Sequence, residues 1–274
     1  MLPPFTLHVR NLRAIRTAKW SPGPLSVLVG ANGSGKTTLL LSLKLVRAAL
    51  ERGLPEAVRA VFGGSYNLRN QHAVDPSEPI EVGINIGTYA WRTTLIPRGA
   101  TVDHITNETL TDSNRVIFKR DSLGKFIYKG EQFDADERIG LRILTDSSHD
   151  DPALLTVSNF IRKITVFHDP DVWSLRQNGS RTTDDRHLHS RGVNAFTMLR
   201  KWFQERPHRH RFEFVKNGLI AAFPGLIEAI DFKEAGQTIV LQTYRPGNSE
   251  SPIPIGSEAN GVLQLLILLC DVAQ

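Results

Sequence analysis

The stretch Gly30-Ala31-Asn32-Gly33-Ser34-Gly35-Lys36-Thr37 constrains this chain more than any other, because it satisfies G-x-x-x-x-G-K-[ST], the phosphate-binding P-loop. Ahead of it, Leu25-Ser26-Val27-Leu28-Val29 is an apolar, β-rich run that predicts a strand. Behind it, Thr38 to Val46 is apolar nearly all round, as a buried helix is. The glycines let the backbone wrap closely around phosphate oxygens without Cβ clashes. The N–H groups from about Gly33 to Thr38 then face an anion from a helix N-terminus, where the dipole also favours negative charge. Gly30, Asn32, Gly33, Ser34, Gly35, Lys36, Thr37 and Thr38 are therefore the candidate nucleotide contacts. In this geometry Lys36 reaches the β- and γ-phosphates and the Thr37 hydroxyl holds Mg²⁺. The expected ligand is a nucleoside triphosphate.

The rest of the chain narrows the setting. Its 274 residues can bury a large core, as one big domain or as a core with an inserted lobe. Hydrophobic content of 41% with 22% charge is ordinary for a soluble globular protein. No run approaches the roughly 18 apolar residues that span a bilayer. Met1-Leu2-Pro3-Pro4-Phe5 lacks the charged and apolar regions of a signal peptide. The single Cys270 excludes an internal disulfide and a cysteine-based metal site. A cytoplasmic protein without membrane association is expected. The net charge of +5 is compatible with a polyanionic partner without requiring one. Its one concentrated run, Arg206-Pro207-His208-Arg209-His210-Arg211, reads either as a phosphate contact or as a solvated helix junction.

Hydropathy patterning divides the chain into three textures. Residues 5–29 read as short strands, and the P-loop helix runs to about Glu51, stopped by Gly53 and Pro55. A short helix over Glu56 to Phe62 ends at Gly63-Gly64 and completes a P-loop core over residues 1–63. Over 64–135, the short alternating stretches Ile80 to Ile86, Tyr89 to Ile96, Arg115 to Lys119 and Lys125 to Lys129 predict an inserted antiparallel meander. Over 136–274 the pattern predicts a helical lobe. Helices are expected at Pro152 to Arg162, Val193 to Gln204, Phe212 to Phe223 and Gly261 to Val272, with a strand at Ile239 to Tyr244. Ile164-Thr165-Val166-Phe167 reads as a return to a parallel core sheet, and Asp169 to Arg191 as a structured loop. His187 and His189, like His208 and His210, stand at i, i+2 without a third ligand nearby, and read as histidines of basic surface loops.

The form G-x-N-G-S-G-K at Gly30 to Lys36 resembles the ABC-type ATPase heads of the SMC, RecF and OLD (overcoming lysogenization defect) groups. The opening Asn11-Leu12-Arg13, a short hairpin and an apolar run into the loop are similar to the N-F-R-S/A opening of those heads. Phe167-His168-Asp169-Pro170, Asp184-Asp185-Arg186-His187-Leu188 and Gly192-Val193-Asn194-Ala195 resemble a run in the small ATPases of the AAA_21, OLD-like type. The resemblance implies an α/β fold: a P-loop NTPase of ABC-ATPase head type with an inserted antiparallel β-region and a helical signature lobe. It implies ATP and Mg²⁺ as cofactors. It also implies a homodimer closed around ATP, with nucleic acid or an effector protein as partner, in DNA repair or anti-phage defence. It further implies a glutamine near Mg²⁺, for which Gln71 is the nearest candidate; a surface-loop glutamine is the alternative reading. Arg13 either approaches the nucleotide from the first strand or is an ordinary solvated arginine.

In the same resemblance Ser257-Glu258-Ala259-Asn260-Gly261 occupies the place of the signature motif, which presents a helix N-terminus to the partner's γ-phosphate. The serine usually found two residues before the glycine is replaced here by Ala259. Ser257 or Asn260 takes its part, with Gly261 completing the site, or the stretch is a plain N-capped core helix. The family's Walker B strand, apolar and ending in Asp-Glu, follows the signature helix after a short loop; the sequence reaches Gln274 thirteen residues after Gly261, before such a strand. The residues that would activate water are thus expected from a further segment or another chain, and no catalytic residue is assigned. Weak ATP binding with negligible hydrolysis is expected. A nucleotide-binding regulatory or scaffold subunit is the alternative reading. A P-loop kinase is disfavoured by the long β-region and the signature-like helix.

Overall fold

The computed structural model describes residues 3–70, 72–73, 75, 78–98, 101–113, 115–121, 123–134, 138–147, 150–166 and 170–274. Alternation of apolar and polar residues begins at once. β1 (Phe5–Leu12) buries Leu7 and Val9 and turns His8 and Arg10 outward, and β2 (Ile15–Trp20) folds back antiparallel beside it. The P-loop then opens α1 (Lys36–Arg52), which ends at Gly53, and α2 (Leu54–Phe62) follows directly. Pro55 does not break the chain here. It occupies the first turn of α2, where its missing N–H has no helical acceptor to serve.

Six strands follow as a meander: β3 (Ile80–Ile86), β4 (Tyr89–Arg98), β5 (Thr101–Asp112), β6 (Arg115–Arg120), β7 (Lys125–Tyr128) and β8 (Glu131–Asp134). β3 pairs with β1, so one eight-stranded sheet results, in the order β2-β1-β3-β4-β5-β6-β7-β8. α3 (Gly140–Asp146) and α4 (Pro152–Lys163) join α1 and α2 against its inward side chains, among them Ile84, Trp91, Leu110 and Phe118. One carboxylate is sunk into this core. Glu108 accepts from Trp91 Nε1 at 2.8 Å, Gly140 N at 2.5 Å and Leu141 N at 3.1 Å, so it ties β5 to β4 and caps α3. Burial pushes its pKa above the usual carboxylate range, against the pull of those three donors and of Arg120.

The chain divides into two compact units, Met1–Val166 and Phe167–Gln274. The second contains α5 (Val172–Asn178), β9 (Ser180–Arg181), α6 (Ala195–Gln204), α7 (Arg209–Ala222), β10 (Ala229–Ala235), β11 (Thr238–Arg245), β12 (Asn248–Pro254) and α8 (Asn260–Ala273). β10, β11 and β12 form an antiparallel sheet, with β9 paired to the start of β11. Phe196, Trp202, Val215, Leu263, Leu266 and Cys270 are fully buried or nearly so in its separate core.

Several expectations need correction. Residues 25–29 form no strand: Leu25, Val27 and Val29 are 89%, 78% and 89% exposed, and Leu28 alone leans on the core. The apolar pattern is right for a buried strand, but among the described residues no backbone lies alongside to pair with it. Residues 164–166 are not a strand either. Ile164 ends α4, and its carbonyl is taken by Arg47 Nη1 at 2.6 Å. Every strand pair described is antiparallel, so the expected parallel core sheet is not among the described residues. The sequence pattern does not mark β5, β8, β9, α3, α5, β10 or β12; in β5 polar residues such as Asn107, Thr109 and Thr111 obscure the alternation. Among the described residues no helix is long and apolar enough to cross a membrane.

Candidate nucleotide-binding site

The P-loop is shaped by its glycines and by what packs against them. Gly33 and Gly35 have φ of +83° and +95°, a left-handed backbone that side chains resist. Ser34 N donates to Ala31 O at 3.2 Å and closes the turn. At Gly30 a Cβ would lie 2.9 Å from Ser34 Oγ, and at Gly35 it would lie 2.9 Å from Ile15 Cγ1. The tip of the β1–β2 hairpin is thus pressed against the glycine that starts α1, which leaves room there for backbone only.

α1 begins at Lys36 with Gly35 as its cap residue and no side-chain cap. Its first backbone bond runs from Leu39 N to Gly35 O at 2.9 Å. Helix geometry therefore leaves the N–H groups of Lys36, Thr37 and Thr38 without helical acceptors. Lys36 Nζ bridges the loop, donating to Gly30 O at 2.6 Å and Ala31 O at 2.7 Å, with Ser34 Oγ at 3.5 Å. Asn32, Gly33, Ser34 and Thr37 are open to solvent, whereas the Thr38 side chain is buried and can offer only its N–H. The arrangement fits a polyphosphate: free donors and a positive dipole end, a lysine already over the loop, and a cradle that a Cβ would fill. Among the described residues the exposed Thr37 hydroxyl could serve as a ligand for Mg²⁺, an ion that takes most of its ligands from phosphate and water. Gln71 lies outside the described residues. Among those described, no group of three His, Cys, Asp or Glu side chains could hold a metal.

Arg13 has φ +49°, donates its N–H to Leu68 O at 2.9 Å, and sets its guanidinium 5.8 Å from the centre of the Phe62 ring. It is held on α2 rather than extended over the loop.

In the second unit, Ser257, Ala259, Asn260 and Gly261 are exposed at the start of α8, and no side chain caps that helix. A Cβ at Gly261 would meet nothing within 4 Å. Between them Glu258 points inward and is 5% exposed. It accepts from Thr243 Oγ1 at 3.0 Å and from Arg245 Nη2 at 3.0 and 3.2 Å on its two oxygens. Arg176 Nη2 donates to the Glu258 carbonyl at 2.6 Å, and Arg245 Nη1 to Leu226 O at 2.5 Å. The N-terminus of α8 is thus fixed by an ion pair between buried Glu258 and half-buried Arg245. Sequence reasoning marked the exposed residues of this turn and missed the clamp; a glutamate between a serine and an alanine at the mouth of an apolar helix was the available clue.

The run resembling the AAA_21 pattern has a structural task where it is described. Asn194 Nδ2 donates to His187 O at 3.0 Å, and His189 N donates to Asn194 Oδ1 at 2.8 Å. Asp185 receives the Thr183 hydroxyl at 2.7 Å and pairs with His189 Nε2 at 3.0 Å. Gly192, at φ +73°, lies where a Cβ would be 2.8 Å from Ile267 of α8. Phe167, His168 and Asp169 lie outside the described residues. Of the basic run, Arg209 stacks 3.9 Å over Phe203 and donates to its carbonyl, Arg211 lies 5.8 Å over Trp202, and His208 faces Glu205 at 3.6 Å. Much of that run fastens the junction of α6 and α7.

A phosphate-binding loop of this geometry, at the head of a buried helix in a mixed α/β fold, defines a nucleotide-binding P-loop protein. The family can be stated as well: the chain belongs to AAA_21, described as "AAA domain, putative AbiEii toxin, Type IV TA system", whose model matches residues 25–270. No curated protein matches the chain. ATPases of this kind generally use ATP with Mg²⁺, which agrees with the loop's chemistry.

Proposed function

We propose that this chain is the ATP-binding head of an ABC-type, OLD-like ATPase. It closes with a second copy around ATP and Mg²⁺, and closure drives action on nucleic acid or on a partner effector, of the DNA-repair or anti-phage type. The observation that supports this reading is that α1 opens directly behind the P-loop glycines and α8 opens behind the mostly exposed turn Ser257 to Gly261, each without a side-chain cap. The first suits the chain's own nucleotide through Gly30 to Thr38. The second suits the γ-phosphate held by the partner, with Ser257, Asn260 and Gly261 supplying the contacts.

The exposed apolar segment at 25–29 supports a division of labour. Its residues are apolar and β-rich, Leu25, Val27 and Val29 are exposed, and among the described residues no strand pairs with them. A strand from a further segment or another chain covers it and brings the carboxylates that activate water. Among the described residues no carboxylate bonds to Lys36, Thr37 or the loop. Without the covering strand, the same chain acts as a nucleotide-binding regulatory or scaffold subunit.

Light scattering with and without ATP and Mg²⁺ tests the reading. The wild type is expected to dimerise with ATP. Lys36→Ala is expected to lose binding of a fluorescent ATP analogue. Gly261→Glu is expected to bind the analogue but not to dimerise. A chain that stays monomeric while saturated with ATP refutes the head assignment.

A further inference from the structure

The outward face of the eight-stranded sheet carries cations that the nucleotide site does not use. Strand register aligns Lys19 of β2 with His8 of β1, His8 with Gly83 of β3, and Gly83 with Arg92 of β4. It continues from Arg92 to Thr109 of β5 and from Thr109 to Lys119 of β6. At about 4.8 Å per strand, this row runs roughly 24 Å across the sheet. Beside it lies a second row, Thr17, Arg10, Glu81, Thr94 and Asn107. Most of these residues line a cavity of about 440 Å³. Gly83 keeps its floor low, since a Cβ there would sit 2.8 Å from Arg92 Cγ.

Among the described residues the charges on this face are positive with one exception, Glu81. Lys19, Arg92 and Lys119 are exposed, and among the described residues none forms an ion pair. Glu81 is the acid that the register turns outward on β1 to β6 among the described residues, and Arg10 faces it at 3.7 Å. A solvated sheet face in a chain with 28 acids and 33 Lys and Arg would mix the two signs. At the centre, His8 Nε2 is buried without a hydrogen-bond partner. Burial, then Arg92, then Lys19 hold the His8 imidazolium down, which reports a positive field over the cavity.

We propose that this face docks double-stranded nucleic acid, with the phosphodiester backbone laid across β2 to β6 on Lys19, Arg92 and Lys119. The row matches about seven base pairs at 3.4 Å of rise, several times the reach of one mononucleotide. Neither row holds a Phe, Tyr or Trp on which an unpaired base could stack, so backbone contact rather than single-strand capture fits it. The docking deepens the nucleic-acid arm of the reading above, and it requires no nucleotide in the P-loop.

Fluorescence anisotropy of a labelled 25-base-pair DNA duplex of mixed sequence, between 50 and 200 mM salt and without ATP, tests it. Three phosphate contacts predict a log–log salt slope of about −3. Arg92→Glu combined with Lys119→Glu should weaken binding at least tenfold at 50 mM salt and flatten the slope by about 2. It should leave binding of the ATP analogue unchanged. Lys36→Ala should leave duplex binding intact, so failure of the ATP reading and failure of this proposal are told apart. Arg206→Glu with Arg211→Glu should change duplex affinity less than threefold. The proposal is overturned if the wild type does not bind the duplex at 50 mM salt, or if the sheet variant binds as the wild type does. It is also overturned if the Arg206 and Arg211 variant is the one that loses affinity, or if the sheet variant loses only attachment to anionic phospholipid vesicles.

Discussion

Gly35→Ala is the substitution that most directly probes how the P-loop is held. Two costs meet at this residue. Its φ of +95° is left-handed, and placing a Cβ on such a backbone costs about 1–2 kcal/mol. The new Cβ would also lie 2.9 Å from Ile15 Cγ1 and 3.7 Å from its Cδ1, an overlap of the overpacking kind that costs about 1–3 kcal/mol. The loop is at the surface and can relax away from both, so the cost falls on the population of the binding-competent shape more than on global stability. A total of about 2–5 kcal/mol lowers apparent ATP affinity at least 30-fold, because apparent Kd scales inversely with the competent fraction. Ile15→Ala removes the overlap and leaves the backbone cost, so the double variant should regain at least about fivefold over Gly35→Ala. Equilibrium binding of a fluorescent ATP analogue reads the affinity, and circular dichroism checks that the β1–β2 hairpin survives. Affinity of Gly35→Ala within threefold of wild type would refute the packing argument. A double variant no better than the single would refute the assignment of the overlap to Ile15.

Two further predictions rest on buried carboxylates. Glu258→Ala removes the carboxylate that Thr243 and half-buried Arg245 bond, and is expected to destabilise the chain by about 1–3 kcal/mol in urea unfolding; a loss below about 0.5 kcal/mol would show that the clamp is dispensable. Glu108 has its pKa raised by burial, so its carboxyl takes up a proton more readily folded than unfolded. Its contribution is therefore present in full below the unfolded value and is lost as pH rises through the folded one. The stability of wild type relative to Glu108→Gln should grow as pH falls from 7.5 towards 5. Urea unfolding across that range checks it, and a constant or shrinking difference contradicts the burial argument.

What the sequence made legible followed the range of each interaction. The eight-residue P-loop is a local pattern, and the structure gives it its left-handed glycines, its bridging lysine and the helix from Lys36, ended at Gly53 as its glycine implied. The first, third and fourth strands alternate cleanly and were found within a few residues. β5 was not, because a strand with one solvated face can be built largely from Thr, Asn, Asp and Glu when its few inward residues, such as Leu110, do the packing. Glu108 shows the same limit at a single residue, since its polarity suggests solvent and its position buries it under α3.

The segment 25–29 failed in the opposite way. Its composition is apolar and β-rich, but pairing is a property of two segments, and the run is neither a strand nor buried. That mismatch is informative, because among the described residues an apolar run leading straight into a phosphate loop is left without a paired strand. The outward basic row adds a pattern invisible to a linear reading: Lys19, His8, Arg92 and Lys119 are spread over a hundred residues and become neighbours only through register. The concentrated run at Arg206 to Arg211, conspicuous in the sequence, is largely spent on Phe203, Trp202 and Glu205. Charge density along a chain is therefore a poor guide here to charge density on a surface, and it is on the sheet face that Lys19, Arg92 and Lys119 stand exposed without an ion pair among the described residues.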